Sequence, residues 1–222
     1  MLVSGAASDL DGSAGPPPGL VEVLREGQAI GYIGGGDLDP HLRQAGAFAS
    51  AIDGAPATAL DLGSGGGLPG LVLATTVWAS TRMCLLDAGE QRAAFLQRAV
   101  RTLAIGDRVS VERGRAEQLA RDARLRGAFE VVVARSFGPP AVVAECAAGF
   151  LAPGGTLVVS EPPAEAGPTR WDHPDALELL GLAVDGVVEV DGARLQRLVA
   201  TAACPERFPR RDGVPSKRPL FD

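Results

Sequence analysis

The residues most suited to chemistry stand in one run, Asp61-Leu62-Gly63-Ser64-Gly65-Gly66-Gly67-Leu68-Pro69-Gly70. Glycines let a backbone turn with positive φ and admit a ligand where a Cβ would clash, and a helix beginning just beyond offers free N–H groups. Pro69 suits the first turn of that helix. Such a run serves a nucleotide-like cofactor, with Gly63, Gly65 and Gly67 as its binding glycines. Further on, Leu85-Leu86-Asp87 ends in a carboxylate of the kind that accepts both hydroxyls of a ribose.

These residues need a scaffold, and the hydrophobic pattern supplies one. From residue 57 onward short apolar runs alternate with longer helical patterns, the mark of βαβ units around a mostly parallel, buried sheet. Strands are predicted at 57–62, 82–87, 109–113, 129–134 and 156–160, and crossover helices at 68–78, 90–104, 116–125 and 140–150. Two more strands, 182–190 and 195–202, are joined through Asp191-Gly192, a strong hairpin turn, so a seven-stranded sheet should end antiparallel. Upstream, 20–52 reads as two short helices around a hinge at Gly34-Gly35-Gly36. Residues 1–19 are small, polar and proline-rich and are expected to be disordered. One domain, 20–204, is then followed by a basic, proline-rich, extended tail at 205–222.

The glycines alone do not choose a cofactor. Gly-x-Gly-x-Gly runs from Gly63, as in methyltransferases, and Gly-x-Gly-x-x-Gly runs from Gly65 to Gly70, as in dinucleotide enzymes. Asp87 fits both. Asp61, an acid at the end of the first strand, and the turn Pro153-Gly154-Gly155 before the fifth strand favour S-adenosylmethionine (SAM) and the Rossmann-like class I methyltransferase α/β fold. A dinucleotide site and a purely structural turn stay open as alternatives.

Composition narrows the class further. With 46% hydrophobic and 22% charged residues, the 222-residue chain is ordinary for one soluble α/β domain. Cys84, Cys146 and Cys204 stand far apart, and His41 and His173 are the only histidines. No metal is therefore expected, and little material remains for a Ser-His or Cys-His pair. There is no long apolar run and no signal-peptide pattern near the start, so a cytoplasmic protein without a membrane partner is expected. A net charge of −6 ordinarily counts against nucleic acid, but it is spread unevenly: 1–62 carry −6, whereas 205–222 carry +2. Nine Arg stand against four acids from Arg92 to Arg126. That stretch reads as solvated helix faces or, together with Arg207, Arg210, Arg211, Lys217 and Arg218, as an RNA-facing patch.

At the level of these motifs the chain resembles the small-subunit ribosomal RNA guanine-N7 methyltransferases known as RsmG or GidB. The resemblance covers roughly 57–160 and the tail, and its most specific element is the Leu68-Pro69-Gly70 extension of the glycine loop. It continues through Leu85-Leu86-Asp87 with Gln91-Arg92-Ala93-Ala94-Phe95-Leu96, then Arg113-Gly114-Arg115-Ala116-Glu117 and Val133-Ala134-Arg135-Ser136-Phe137. The resemblance implies SAM as cofactor and small-subunit ribosomal RNA as partner. It implies that Gly63 and Leu68 line the SAM pocket, that Ala116 and Glu117 meet the adenine, and that Arg135 stands at the mouth, toward cofactor and RNA. Two segments depart from the family pattern. Ser160-Glu161-Pro162-Pro163 stands where a Lys-Gly usually follows the fifth strand, and Leu42-Arg43-Gln44-Ala45-Gly46 replaces an Arg-His before Leu-Asp-Ser. A methyltransferase for a small molecule and a nucleotide-binding module without catalysis are the alternatives.

Overall fold

A computed structural model describes residues 16–162 and 170–222. The segment expected to be disordered, 1–19, lies outside the described residues as far as residue 15. Its last residues differ from expectation, because helix α1 (Pro18–Ala29) already starts at Pro18, a residue type whose fixed φ suits a first helical position. Helix α2 (Asp39–Ser50) follows after the glycine hinge.

The alternating pattern then forms as predicted: β1 (Thr58–Leu62), α3 (Gly70–Thr75), β2 (Arg82–Asp87), α4 (Glu90–Thr102), β3 (Val109–Arg113), α5 (Ala116–Leu119), β4 (Phe129–Ala134), α6 (Pro140–Ala148) and β5 (Leu151–Glu161). After α7 (Pro174–Glu178) come β6 (Leu182–Val190) and β7 (Ala193–Ala200), and a last helical turn, α8 (Val214–Lys217), lies in the tail. The sheet order is β3-β2-β1-β4-β5-β7-β6, with β7 antiparallel to both β5 and β6. Asp191 (φ +51°) and Gly192 (φ +76°) make the β6–β7 turn, positive φ at both central positions being what a tight hairpin requires. This is the class I methyltransferase architecture, a mostly parallel seven-stranded sheet closed by an antiparallel hairpin.

Alternate residues of each strand feed opposite faces. Ala59, Met83, Leu85 and Val131 join the core under α1–α4, where Phe48, Trp78 and Phe95 are buried. Leu60, Leu62, Cys84 and Val132 join the core under α5–α7 and the tail, with Phe150, Trp171 and Phe208. Each fully buried large apolar side chain contributes roughly 1.5–3 kcal/mol relative to exposure.

Three predicted elements differ for local reasons. Helix α3 stops at Thr75, Thr76 leaving the helical backbone region (φ −118°, ψ −92°) while the Thr75 and Thr76 hydroxyls donate back to the carbonyls of Leu71 and Val72. Helix α5 is a single turn, and Asp122 then accepts the Arg124 amide in a side-chain turn. Strand β5 begins earlier than expected, its pairing with β4 jumping from Phe129↔Leu151 to Val131↔Thr156 so that the Pro-Gly-Gly turn sits inside it as a bulge.

The tail is a strap rather than an extended arm. Arg210 bonds the fully buried Glu145 of α6 through Nε (2.9 Å), Nη2 (2.6 Å) and its backbone N–H (2.7 Å). Arg126 donates to the carbonyls of Cys204, Pro205 and Phe208. Arg121 donates to that of Glu206, and Phe221 stacks on His173 at 4.6 Å. Among the described residues no helix is long and apolar enough to cross a membrane.

Candidate active site

Strand order reverses between β1 and β4, and in open α/β sheets the crevice at the carboxyl ends of such strands is where ligands sit. The glycine loop leaves β1 at that point. It frames a hollow of about 300 Å³, lined by the loop, residues 31–34, Arg92, Arg135 and Ser136. A neighbouring hollow of about 220 Å³ is lined by Asp87, Ala116, Glu117 and Phe137 among others, and the two share Gly63, Arg92 and Ser136.

The loop is held from beneath by two carboxylates. Asp61, fully buried, accepts the Gly70 amide at 2.9 Å through Oδ2. Its Oδ1 is buried without a hydrogen-bond partner among the described residues. Burial pushes its carboxyl up to about 7, against the lowering pull of the Gly70 amide, Ser64 and Arg135. Asp87 accepts the Gly65 amide at 2.9 Å and the Gly89 amide at 2.7 Å, with Arg92 3.7 Å away. Since a carboxylate has about four lone-pair sites, those two amides leave room for hydroxyl donors.

Two glycines matter for close approach. A Cβ on Gly65 (φ +54°) would meet nothing nearer than the Gly63 carbonyl at 3.8 Å, so its missing side chain leaves open the space of the hollow. A Cβ on Gly66 would lie 2.4 Å from Ile33, because the segment between α1 and α2 packs onto the loop there. Leu68 lines the larger hollow, as expected, whereas Gly67 lines neither; its positive φ serves the turn, where a Cβ would strike Leu71.

Ala116 and Glu117 open α5 beside the second hollow. Glu117 is buried and accepts the Gly213 amide (3.0 Å) and Arg115 Nη2 (2.9 Å). Burial works to raise its carboxyl, yet the Gly213 amide, its own amide and Arg115 together hold it below the ordinary carboxylate range. At the end of β4, Arg135 donates from Nη2 to His41 Nδ1 at 3.0 Å, while Nη1 is buried without a partner among the described residues. Burial lowers the guanidinium pKa, with Asp61 opposing that shift.

The structure therefore brings Gly63, Gly65, Leu68, Asp87, Ala116, Glu117 and Arg135 to one crevice. None of the tail cations lines either hollow, although the tail reaches Glu117 through the Gly213 amide: Arg210 is engaged by Glu145, which differs from its expected RNA contact, whereas Arg207, Arg211, Lys217 and Arg218 are exposed. Sequence reasoning missed His41, Tyr32, Ile33, Arg92 and Ser136. Arg92 and Ser136 stand inside family-like segments and the glycine hinge flanks the 31–34 ground, but no role was read for any of them, and the positive φ of Ser136 (+54°) is invisible before folding.

Comparison with known proteins agrees with this geometry. The chain is similar to the ribosomal RNA small subunit methyltransferase G of Parasynechococcus marenigrum, 33% identical over 174 residues, covering 73% of this chain and 67% of that one. It is also similar to the protein of that name from Prochlorococcus marinus strain MIT 9313, 35% identical over 177 residues, covering 74% and 68%. In fold it resembles an O-methyltransferase from Bacillus cereus solved in complex with SAH, with a TM-score of 0.61 at 16% identity, covering 85% and 94%. Residues 38–162, which carry the glycine loop, Asp87, Glu117 and Arg135, match the family described as rRNA small subunit methyltransferase G, and the chain belongs to that family.

Proposed function

We propose that this protein transfers a methyl group from SAM to guanine N7 of small-subunit ribosomal RNA. The observation that carries the reading is that the family match, 38–162, runs from the start of α2 through the end of β5 and so takes in the glycine loop, Asp87, Glu117 and Arg135.

The residues present fit the cofactor. The open space at Gly65, which a side chain would fill, and the unpartnered Arg135 Nη1 in the lining of the larger hollow are places for a ligand, with Asp61 holding the loop from beneath. Gly63 and Gly65 leave the cofactor's path clear, Asp87 would take the ribose hydroxyls, and Ala116 and Glu117 would flank the adenine. When bound, SAM supplies a methyl group bonded to a positively charged sulfur and open to in-line attack.

What the chain contributes is positioning, which by itself accounts for much of the rate in such transfers. Guanine N7 has an in-plane lone pair and loses no proton, so the crevice needs no general base. Its buried acids suit this role: Glu117 is already charged and bonded, and Asp61 lies beneath the loop. Exposed Arg207, Arg211, Lys217 and Arg218 are among the cations available to RNA phosphates. A ribosomal substrate carries with it a cytoplasmic location.

The test is transfer of labelled methyl from SAM to small ribosomal subunits lacking the modification, followed by chemical cleavage at 7-methylguanine. Label at a cleavable guanine is expected. Label only in a metabolite extract would replace this reading with a small-molecule acceptor.

A further inference from the structure

His41 stands on the first turn of α2, half-buried, and both of its ring nitrogens are engaged. Nε2 lies 3.2 Å from the Gly34 carbonyl, and Nδ1 lies 3.0 Å from Arg135 Nη2. A carbonyl only accepts and a guanidinium only donates, so Nε2 carries the ring's proton and Nδ1 presents its lone pair. The two contacts thus select one form of the imidazole, the neutral Nε2–H tautomer.

Both partners line the larger hollow. Gly34 belongs to the segment joining α1 to α2, where Gln28 also donates to Gly34 (2.7 Å) and Gly36 (3.2 Å) and Tyr32 packs edge-on against Phe95. Arg135 comes from the opposite wall, at the end of β4. His41 supplies the only side-chain hydrogen bond that Arg135 makes among the described residues. An arginine side chain has much rotamer freedom to lose, and a partner that fixes its plane beforehand lowers what ordering costs when a ligand arrives.

We propose that His41 is a positioning residue for methyl transfer, holding the Arg135 guanidinium at the acceptor end of the pocket and latching the 31–36 segment across that same end. The proposal rests on the methyl-transfer reading above, and goes beyond it in assigning the N-terminal helices a part in the site. The acceptor base meets a cation whose plane is set by the protein, and the fit of the 31–36 segment against the glycine loop depends on the same imidazole.

The experiment compares the full-length protein with H41A, H41Q, R135A and the double variant H41A/R135A. Glutamine can donate an amide N–H toward Gly34 and accept from Arg135, so it keeps the polarity that alanine removes. Three quantities are read: ring 15N signals of His41, with H173Q to assign the two histidines; SAM affinity by calorimetry; and single-turnover methyl transfer to small ribosomal subunits.

The wild-type ring should show protonated Nε2 and unprotonated Nδ1, with the Nδ1 signal moving in R135A. H41A should slow transfer roughly 10- to 100-fold while SAM affinity stays within about threefold, because misplacement rather than lost cofactor contact is at issue. H41Q should recover most of the rate. H41A/R135A should be no slower than R135A, as expected of two residues acting through one contact. The opposite tautomer, an H41Q as slow as H41A, or fully additive losses would overturn the proposal. If the wild type methylates no subunit at all, the function reading falls instead, and the positioning claim is decided by the ring signals and their response to R135A.

Discussion

The glycine-loop end and the C-terminal strap are both rich in polar side chains, and they use them in opposite ways. In the strap, charges are matched within the protein: Glu145 is enclosed by Arg210, Glu117 by Arg115 and the Gly213 amide, and Arg121 and Arg126 spend their guanidinium groups on tail carbonyls. At the loop, Asp61 Oδ1 and Arg135 Nη1 are buried without partners and Gly65 faces open space. Buried polar groups are nearly always bonded, and of the unpartnered ones among the described residues Arg135 Nη1 is the one whose residue lines the hollow, so it marks where a ligand supplies the missing half. The same contrast explains the arginine-rich stretch. Arg98, Arg108, Arg113, Arg115 and Arg124 all have protein partners, so most of the run serves the fold and does not form a free basic patch.

The contrast can be broken from either side. The largest effect is expected at the loop, where Gly65→Val sets a β-branched side chain at φ +54° and directs it into the hollow. Calorimetry should detect no SAM binding while circular dichroism shows the fold retained; global unfolding would make the loop a structural turn. In the strap, Arg210→Ala leaves Glu145 buried without its counter-charge and with only the residue-210 backbone N–H, and unfolding free energy should drop by about 3–5 kcal/mol. Adding Glu145→Met should recover much of that loss, and failure to recover it would mean that the ion pair is not what seats the tail.

Asp61 ties the comparison to pH. Its carboxyl is raised from 3.8 to about 7, so the folded protein holds a proton that the unfolded chain releases. Its contribution is complete below the unfolded value and is lost as pH rises through about 7, a change on the order of 4 kcal/mol. In Asp61→Asn the side-chain oxygen can still accept from Gly70, and nothing titrates there. Urea unfolding of the cofactor-free protein between about pH 5 and pH 8 should therefore fall more steeply for wild type than for the variant. Parallel curves would mean that Asp61 stays charged throughout.

The difference between the two regions also governed what could be read from the chain. The strands β2, β3, β4 and β6 were legible to the residue, since a buried parallel sheet demands apolar runs and Asp191-Gly192 demands a turn. The glycine loop and Asp87 were legible because their chemistry lies in residue type and spacing along one βαβ unit. Contacts closed over long separations left no comparable trace. Nothing in Leu42-Arg43-Gln44 announces that His41 meets Arg135, 94 residues away, and nothing in a basic tail distinguishes Arg210 from Arg211 until Glu145 is seen buried beneath one of them.

That last distinction gives the smallest and most selective prediction. Arg211, Lys217 and Arg218 are exposed and make no side-chain hydrogen bond or ion pair among the described residues, and Arg207 lies over the Phe208 ring at 5.0 Å. If these four meet phosphates, neutralising each should lower the slope of log K against log salt for RNA by roughly 0.7–0.9 per lost contact, through fewer released counterions. SAM affinity and melting temperature should hardly move, because none of the four side chains makes a hydrogen bond or ion pair among the described residues and the Arg207–Phe208 contact at an exposed site is worth about 0.5–1 kcal/mol. Arg210→Ala gives the reverse pattern, lower stability with an unchanged slope. Binding measured over a salt series with each variant separates the two classes. Equal slopes for all four neutralised variants would leave the tail a strap alone and move the RNA contact to other exposed cations, of which Arg101 is the candidate within the arginine-rich run.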